Sequence, residues 1–167
     1  PGPIDILNAD GPGAQIAAKR YGAKNLSILD VTSPTLWEKG VKACIRRSQE
    51  GKCNTVVVDT FTLLVNNVLA MEMSNHFDKW DIWRETLQHA MKGLNALLQN
   101  LQAHLFVIVH HDLNDGLVNI KGGTKKDLPA IIHDRVHMEY RHGKDPARVY
   151  HVGSSADGMS GGRFASE

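Results

Sequence analysis

The chain has 167 residues, 42% of them hydrophobic, with 19 Lys and Arg against 18 Asp and Glu. That length sustains one domain with a sizeable core, and the near balance of charge excludes a whole-molecule field for nucleic acid, so any such contact must come from a local patch. Two cysteines, Cys44 and Cys53, neither in a CxxC pair, exclude a disulfide framework and a CxxC zinc or redox motif.

No apolar run reaches the roughly 18 residues of a membrane span. The opening Pro1-Gly2-Pro3-Ile4 lacks the basic and apolar stretches of a signal peptide. The expectation is a soluble protein of a reducing cytoplasm. The first residue is not Met and a strand begins almost at once, which reads as a fragment.

In chain order, Ile4 to Ala9 is an apolar run that reads as a buried strand, broken by Gly11-Pro12-Gly13 before a helical stretch Ala14 to Tyr21 that Gly22 stops. Leu26 to Val31 is a second strand. Ser33 and Pro34 sit where an N-cap and first helical residue belong, and Trp37, Val41, Cys44 and Ile45 recur at helical spacing up to Gly51. Thr55 to Asp59 is β-branched and apolar on both faces, as in a central parallel strand. A helical run follows through Met71. A long amphipathic helix is predicted from about Asp81 to Leu101, and Leu105 to Val109 is a further apolar strand ending in His110-His111-Asp112.

Strands alternating with helices predict an α/β fold, a mostly parallel sheet flanked by helices. The last third reads differently. Short alternating strands are predicted around Leu117 to Ile120, Arg135 to Arg141 and Arg148 to Val152, the last two joined by the turn Gly143-Lys144-Asp145-Pro146. The sheet is thus expected to end in antiparallel strands. The domain is taken as residues 1–153, with a Gly- and Ser-rich tail over 154–167 read as a mobile loop or severed connection.

Ligands of open α/β sheets bind at the carboxyl ends of the strands, so polar residues that end apolar runs are the site candidates. These are Asp10, Asp59 and the pair His110 and His111. A carboxylate after four buried residues can hold Mg²⁺ through water beside a nucleotide's phosphates, and it can equally be a strand-ending Asp that caps the next helix. His133 and His137, four apart, suggest zinc, but on a strand they form no ligand set without a third partner.

The order of the pieces resembles the RecA family. Ile6-Leu7-Asn8-Ala9-Asp10, the helix from Ala14 to Gly22 and Asn25 to Leu29 look like the RecA strand that ends in a catalytic acid, with its helix and next strand. Val56-Val57-Val58-Asp59-Thr60 looks like that family's Walker B strand. The likeness runs from about Ile4 to Val152. It implies a RecA-like fold with ATP and Mg²⁺ as cofactors, Asp10 acting on the water that attacks the γ-phosphate, and Asp59 holding the metal through water. Thr60 and His110 would line the nucleotide. Where RecA has Glu, this chain has Asp10. The shorter reach moves the acid by about an ångström, enough to cost on the order of a hundredfold in rate.

Val107-Ile108-Val109-His110-His111-Asp112 is similar to the Thr-Ala-His-Glu-like strand end of the phage RecA-like ATPases that assist single-strand annealing. Asp127-Leu128-Pro129 and His133-Asp134-Arg135-Val136 look like further elements of that group. The resemblance places His111 at the sensor of the γ-phosphate. Lys121-Gly122-Gly123-Thr124-Lys125-Lys126 falls where such proteins carry a DNA-contacting loop, so Lys121, Lys125 and Lys126 are the candidates for single-stranded DNA phosphates. A homo-oligomer, ring or filament, is expected, with Lys144 and Arg163 as the basic candidates for completing a neighbour's site.

One departure stands out. A phosphate-binding loop, GxxxxGK[ST], is not in the chain. In the family it precedes the Asp10 strand by about 20 residues, upstream of Pro1. The functions considered are an ATPase core of DNA recombination or annealing, a RecA-fold module that binds without hydrolysing, and another α/β hydrolase or metal-dependent enzyme.

Overall fold

Period-two burial along short β-branched runs sets up the sheet. The computed structural model describes residues 2–22, 24–70, 79–110, 136–141 and 147–152. Strands β1 (Ile4–Asn8), β2 (Leu26–Asp30), β3 (Thr55–Asp59) and β4 (His104–Val107) form one sheet in the order β2-β1-β3-β4, with every neighbouring pair parallel. Each extends close to its predicted range. The exception is β4, which starts one residue earlier and ends two earlier than predicted. Ile108 still donates its N–H to the Val58 carbonyl, so the chain stays on the β3 edge beyond the strand.

Parallel strands need crossovers, and the helices supply them. Helix α1 (Gly13–Tyr21) links β1 to β2 and ends at Gly22, whose φ of 61° is the left-handed conformation glycine adopts without cost. Helix α2 (Pro34–Gln49) links β2 to β3. As its sequence predicts, Ser33 Oγ accepts from the Leu36 N–H and Pro34 begins the helix. After β3 come α3 (Phe61–Leu63) and a π-helical stretch, Leu64–Leu69, where β-branched residues and two asparagines disfavour a regular helix. Helix α4 (Lys79–Asn100) returns to β4.

The core lies on one face of this sheet. Leu7, Val56 and Val58 are buried there with Trp37, Val41 and Cys44 of α2 and Ala90, Leu94 and Leu97 of α4. Gly40 lets α2 approach Leu7, and Gly93 lets α4 lie against the Trp37 indole; a Cβ at either position would overlap those side chains. The alternate residues Ile6, Ile28 and Val57 are only half-buried. On β4 and just beyond it the departure from expectation is larger: Phe106 is 59% exposed and Ile108 43%, and Phe106 pairs with Val57 on the sheet face away from the core.

The hairpin of β5 (Val136–Arg141) and β6 (Ala147–Val152) belongs to a second compact unit and pairs antiparallel, from Val136 opposite Val152 to Arg141 opposite Ala147. Among the described residues no ladder joins it to the parallel sheet. An antiparallel end to that sheet is therefore not present in the described ladders. The predicted strand Leu117 to Ile120 and the tail 154–167 lie outside the described residues. Among those described, no helix is long and apolar enough to cross a membrane.

Candidate functional site

The chain leaves β1 toward β2 and leaves β3 toward β4, so the connections diverge at the carboxyl ends of two adjacent strands. Such a divergence opens the crevice where α/β sheets bind ligands. Three polar residues close their strands in one register row there: Asp30 on β2, Asn8 on β1 and Asp59 on β3. The Ala9 N–H donates to the Asp59 carbonyl at 2.6 Å, which draws the turn bearing Asp10 onto the end of β3.

The sequence candidates separate at this edge. Asp10 is exposed on the turn after β1, and Asp59 is partly buried at the end of β3. Burial pushes the Asp59 carboxyl above its ordinary range, the negative charge of Asp10 pushes it further, and His110 draws it back. Asp10 and His110 thus both lie near enough to the Asp59 carboxyl to act on its charge. Among the described residues no cation pairs with Asp59 by hydrogen bond or salt bridge. Carboxylates are hard oxygen donors of the kind a divalent cation takes through water, but among the described residues no group of three or more His, Cys, Asp and Glu is placed to hold a metal ion.

Thr60 is buried, and its Oγ1 accepts from the Leu63 N–H at 3.3 Å, so its hydroxyl caps α3. The N–H of Phe61 donates to the Ile108 carbonyl, and the N–H of His110 donates to Thr62 Oγ1 at 2.8 Å. These bonds tie the end of β4 to the turn after β3 and hold His110 beside Asp59. His111, Lys121, Lys125 and Lys126 lie outside the described residues, as do His133, Lys144 and Arg163.

Asn8 was not among the candidates, yet it is the best-bonded polar residue of the edge. Its side chain is buried, 2% exposed. Nδ2 donates to the Gly11 carbonyl at 2.6 Å and to Asp30 Oδ1 at 2.7 Å, and Oδ1 accepts from the Asp10 N–H at 3.3 Å. Gln15 Nε2 also donates to Asp30 Oδ1, at 2.5 Å. The one signal along the chain was an amide where an apolar strand ends, two residues before an acid.

No known protein-family model matches the chain, and a search of curated proteins finds no match either.

Proposed function

We propose that the chain is the core of a RecA-like ATPase that acts with single-stranded DNA in recombination or annealing, with a phosphate-binding loop that these 167 residues do not include. The observation that carries this reading is the meeting of Asp10 and Asp59 at the crevice between β1 and β3. The parallel order β2-β1-β3-β4 supports the same reading, because it sets the two acid-bearing strands side by side.

In this reading Asp59 would hold Mg²⁺ through water, and the cation would supply charge stabilisation at the transferred phosphate. Asp10 accepts a proton from, or orients, the attacking water. Its place on a turn rather than within a strand gives the shorter side chain a route toward the phosphate that a strand-end Asp would lack. His110 stands beside Asp59 and, with Thr60, borders the nucleotide. His111 reads the γ-phosphate and passes the state to the loop bearing Lys121, Lys125 and Lys126, which contacts DNA phosphates. Assembly into a ring or filament completes each site from the neighbouring copy.

The test is ATP hydrolysis by the full-length protein with and without single-stranded DNA. Asp59→Asn lowers turnover in both conditions, because it removes the metal's anchor. His111→Ala chiefly abolishes the change in DNA affinity that a non-hydrolysed ATP analogue produces, a coupling free energy between two sites. Turnover by Asp59→Asn equal to wild type would refute the metal role, and an unaltered ATP effect on DNA affinity in His111→Ala would refute the sensor.

A further inference from the structure

Asn8 occupies an unusual position for a neutral residue. It stands in register between Asp30 on one neighbouring strand and Asp59 on the other. A third carboxylate there would make a row of like charges at directly paired positions, which is destabilising. An amide instead separates the two acids and bonds in three directions. Both Nδ2 hydrogens are used, one on Asp30 and one on the Gly11 carbonyl, and Oδ1 takes the Asp10 N–H.

Each bond constrains a different piece of the same turn. The Gly11 contact fixes the chain after Asp10, where Gly11 has a φ of 70°. The Asp10 N–H contact fixes the residue itself. Asp30 anchors the amide from the side and is held in turn by Gln15, from the first turn of α1. Asp10 has no side-chain hydrogen bond or salt bridge of its own among the described residues, so this backbone cradle is what sets where its carboxylate stands.

We infer that Asn8 is the positioning residue for Asp10, a neutral clamp anchored on Asp30 that holds the turn so that the Asp10 carboxylate faces the crevice beside Asp59. The inference rests on the ATPase reading for what Asp10 does there, and on the hydrogen bonds alone for how Asp10 is held. Asn8 itself touches no reacting atom. Its loss acts through Asp10.

The chemistry supplies a reciprocal test. N8D keeps the shape but removes both donors and places a charge between Asp30 and Asp59. In the pair N8D/D30N the amide at position 30 donates to the carboxylate at position 8, and Gln15 keeps an acceptor. In the full-length protein, N8D lowers kcat for ATP roughly ten- to a hundredfold, as misplacement by about an ångström does, with KM for ATP near the wild-type value. N8D/D30N recovers part of that loss, the share due to the contact with position 30, because a carboxylate at position 8 still offers the Gly11 carbonyl no donor. In a D10A background N8D has no further effect on kcat, because a residue acting through Asp10 has nothing left to position.

Losses from N8D and D10A that multiply, or an N8D/D30N pair no better than N8D while both variants match wild type in thermal stability, overturn the inference. Hydrogen exchange at the Asp10 amide separates this from the function. Exchange is faster in N8A, which removes the acceptor of the Asp10 N–H, if the clamp is real, whether or not the wild-type protein hydrolyses ATP. Exchange unchanged in N8A overturns the clamp. A wild type without ATPase activity overturns the functional reading alone.

Discussion

The two ends of the β1–β3 pair treat carboxylates in opposite ways. At the amino end Asp5 is wholly buried on the core face, and Arg47 of α2 reaches it with Nε at 2.8 Å while sending Nη2 to the Lys52 carbonyl. That buried charge is paired through Oδ2 with a cation across the layer, while Oδ1 has no hydrogen-bond partner among the described residues. At the carboxyl end Asp59 has another carboxylate for a neighbour, and the residue between the acids is an amide rather than a cation. A carboxylate matched by a fixed cation belongs to the architecture. In the proposed reading, one held at a disadvantage beside a like charge is kept for a ligand that the protein itself does not supply.

The cysteines sharpen the contrast. Cys44 and Cys53 are both free and buried near Asp5, and burial, then the negative charge of Asp5, pushes the Cys44 thiol up to about 12. Burial likewise raises Cys53. Thiols in that state stay protonated and unreactive. The two thiols of the amino end are therefore packing groups rather than nucleophiles.

The largest expected effect breaks the amino end. Arg47→Ala leaves Asp5 charged and buried, with Oδ1 already lacking a hydrogen-bond partner among the described residues. Breaking a buried pair costs about 3–5 kcal/mol. Arg47 is one-third exposed, so about 2–3 kcal/mol is expected from urea unfolding. Replacing both partners, as Asp5→Leu with Arg47→Met, should recover most of that loss. If Arg47→Ala costs less than about 0.5 kcal/mol, a value typical of exposed pairs, Asp5 is not an architectural acid and the contrast between the two ends fails.

A smaller loss is expected from the anchor at the other end. Asp30→Ala removes the acceptor shared by Asn8 and Gln15. Asp30 is exposed while Asn8 is buried, so the cost is that of one buried donor left unmatched, about 1–2 kcal/mol. Gln15→Ala, which removes only the outer bond, should cost less than Asp30→Ala in the same unfolding measurement. The reverse order would mean that Asp30 is held for α1 rather than for the Asn8 turn.

Much of this fold was legible along the chain because its signals are local. Ser33 followed by Pro34 announced α2, β-branched runs announced the parallel strands, and acids at their ends announced the edge. Features that depend on distant residues were not legible. Asn8 acquires its role only when register sets it between Asp30 and Asp59, and Asp5 finds Arg47 at a separation of 42 residues. The exposure of Phe106 and Ile108 was hidden for a related reason. An apolar run does not say which of its two faces meets the core, and packing against the sheet decides it.

The smallest effect is a gain in stability, and its sign is the most specific test of the comparison. Burial and Asp10 raise the folded-state pKa of Asp59 above its ordinary value of 3.8. The folded protein therefore binds a proton at this site more readily than the unfolded chain, and the ionised form is a burden on the fold. Above the raised pKa that burden is fully present. It shrinks as pH falls through the window between the raised value and 3.8, and it is gone once both states are protonated. Asp59→Asn, neutral at every pH, should unfold at a higher urea concentration than wild type at pH 7, by about 0.5 kcal/mol, in the lower range of stabilising substitutions that relieve a functional site. At pH 3 the two proteins should differ little. Arg47→Ala at the amino end should show no comparable gain at any pH. An Asp59→Asn variant less stable than wild type at pH 7 would mean that the Asp59 charge is matched by a protein cation, placing it with Asp5 among the acids that build the fold.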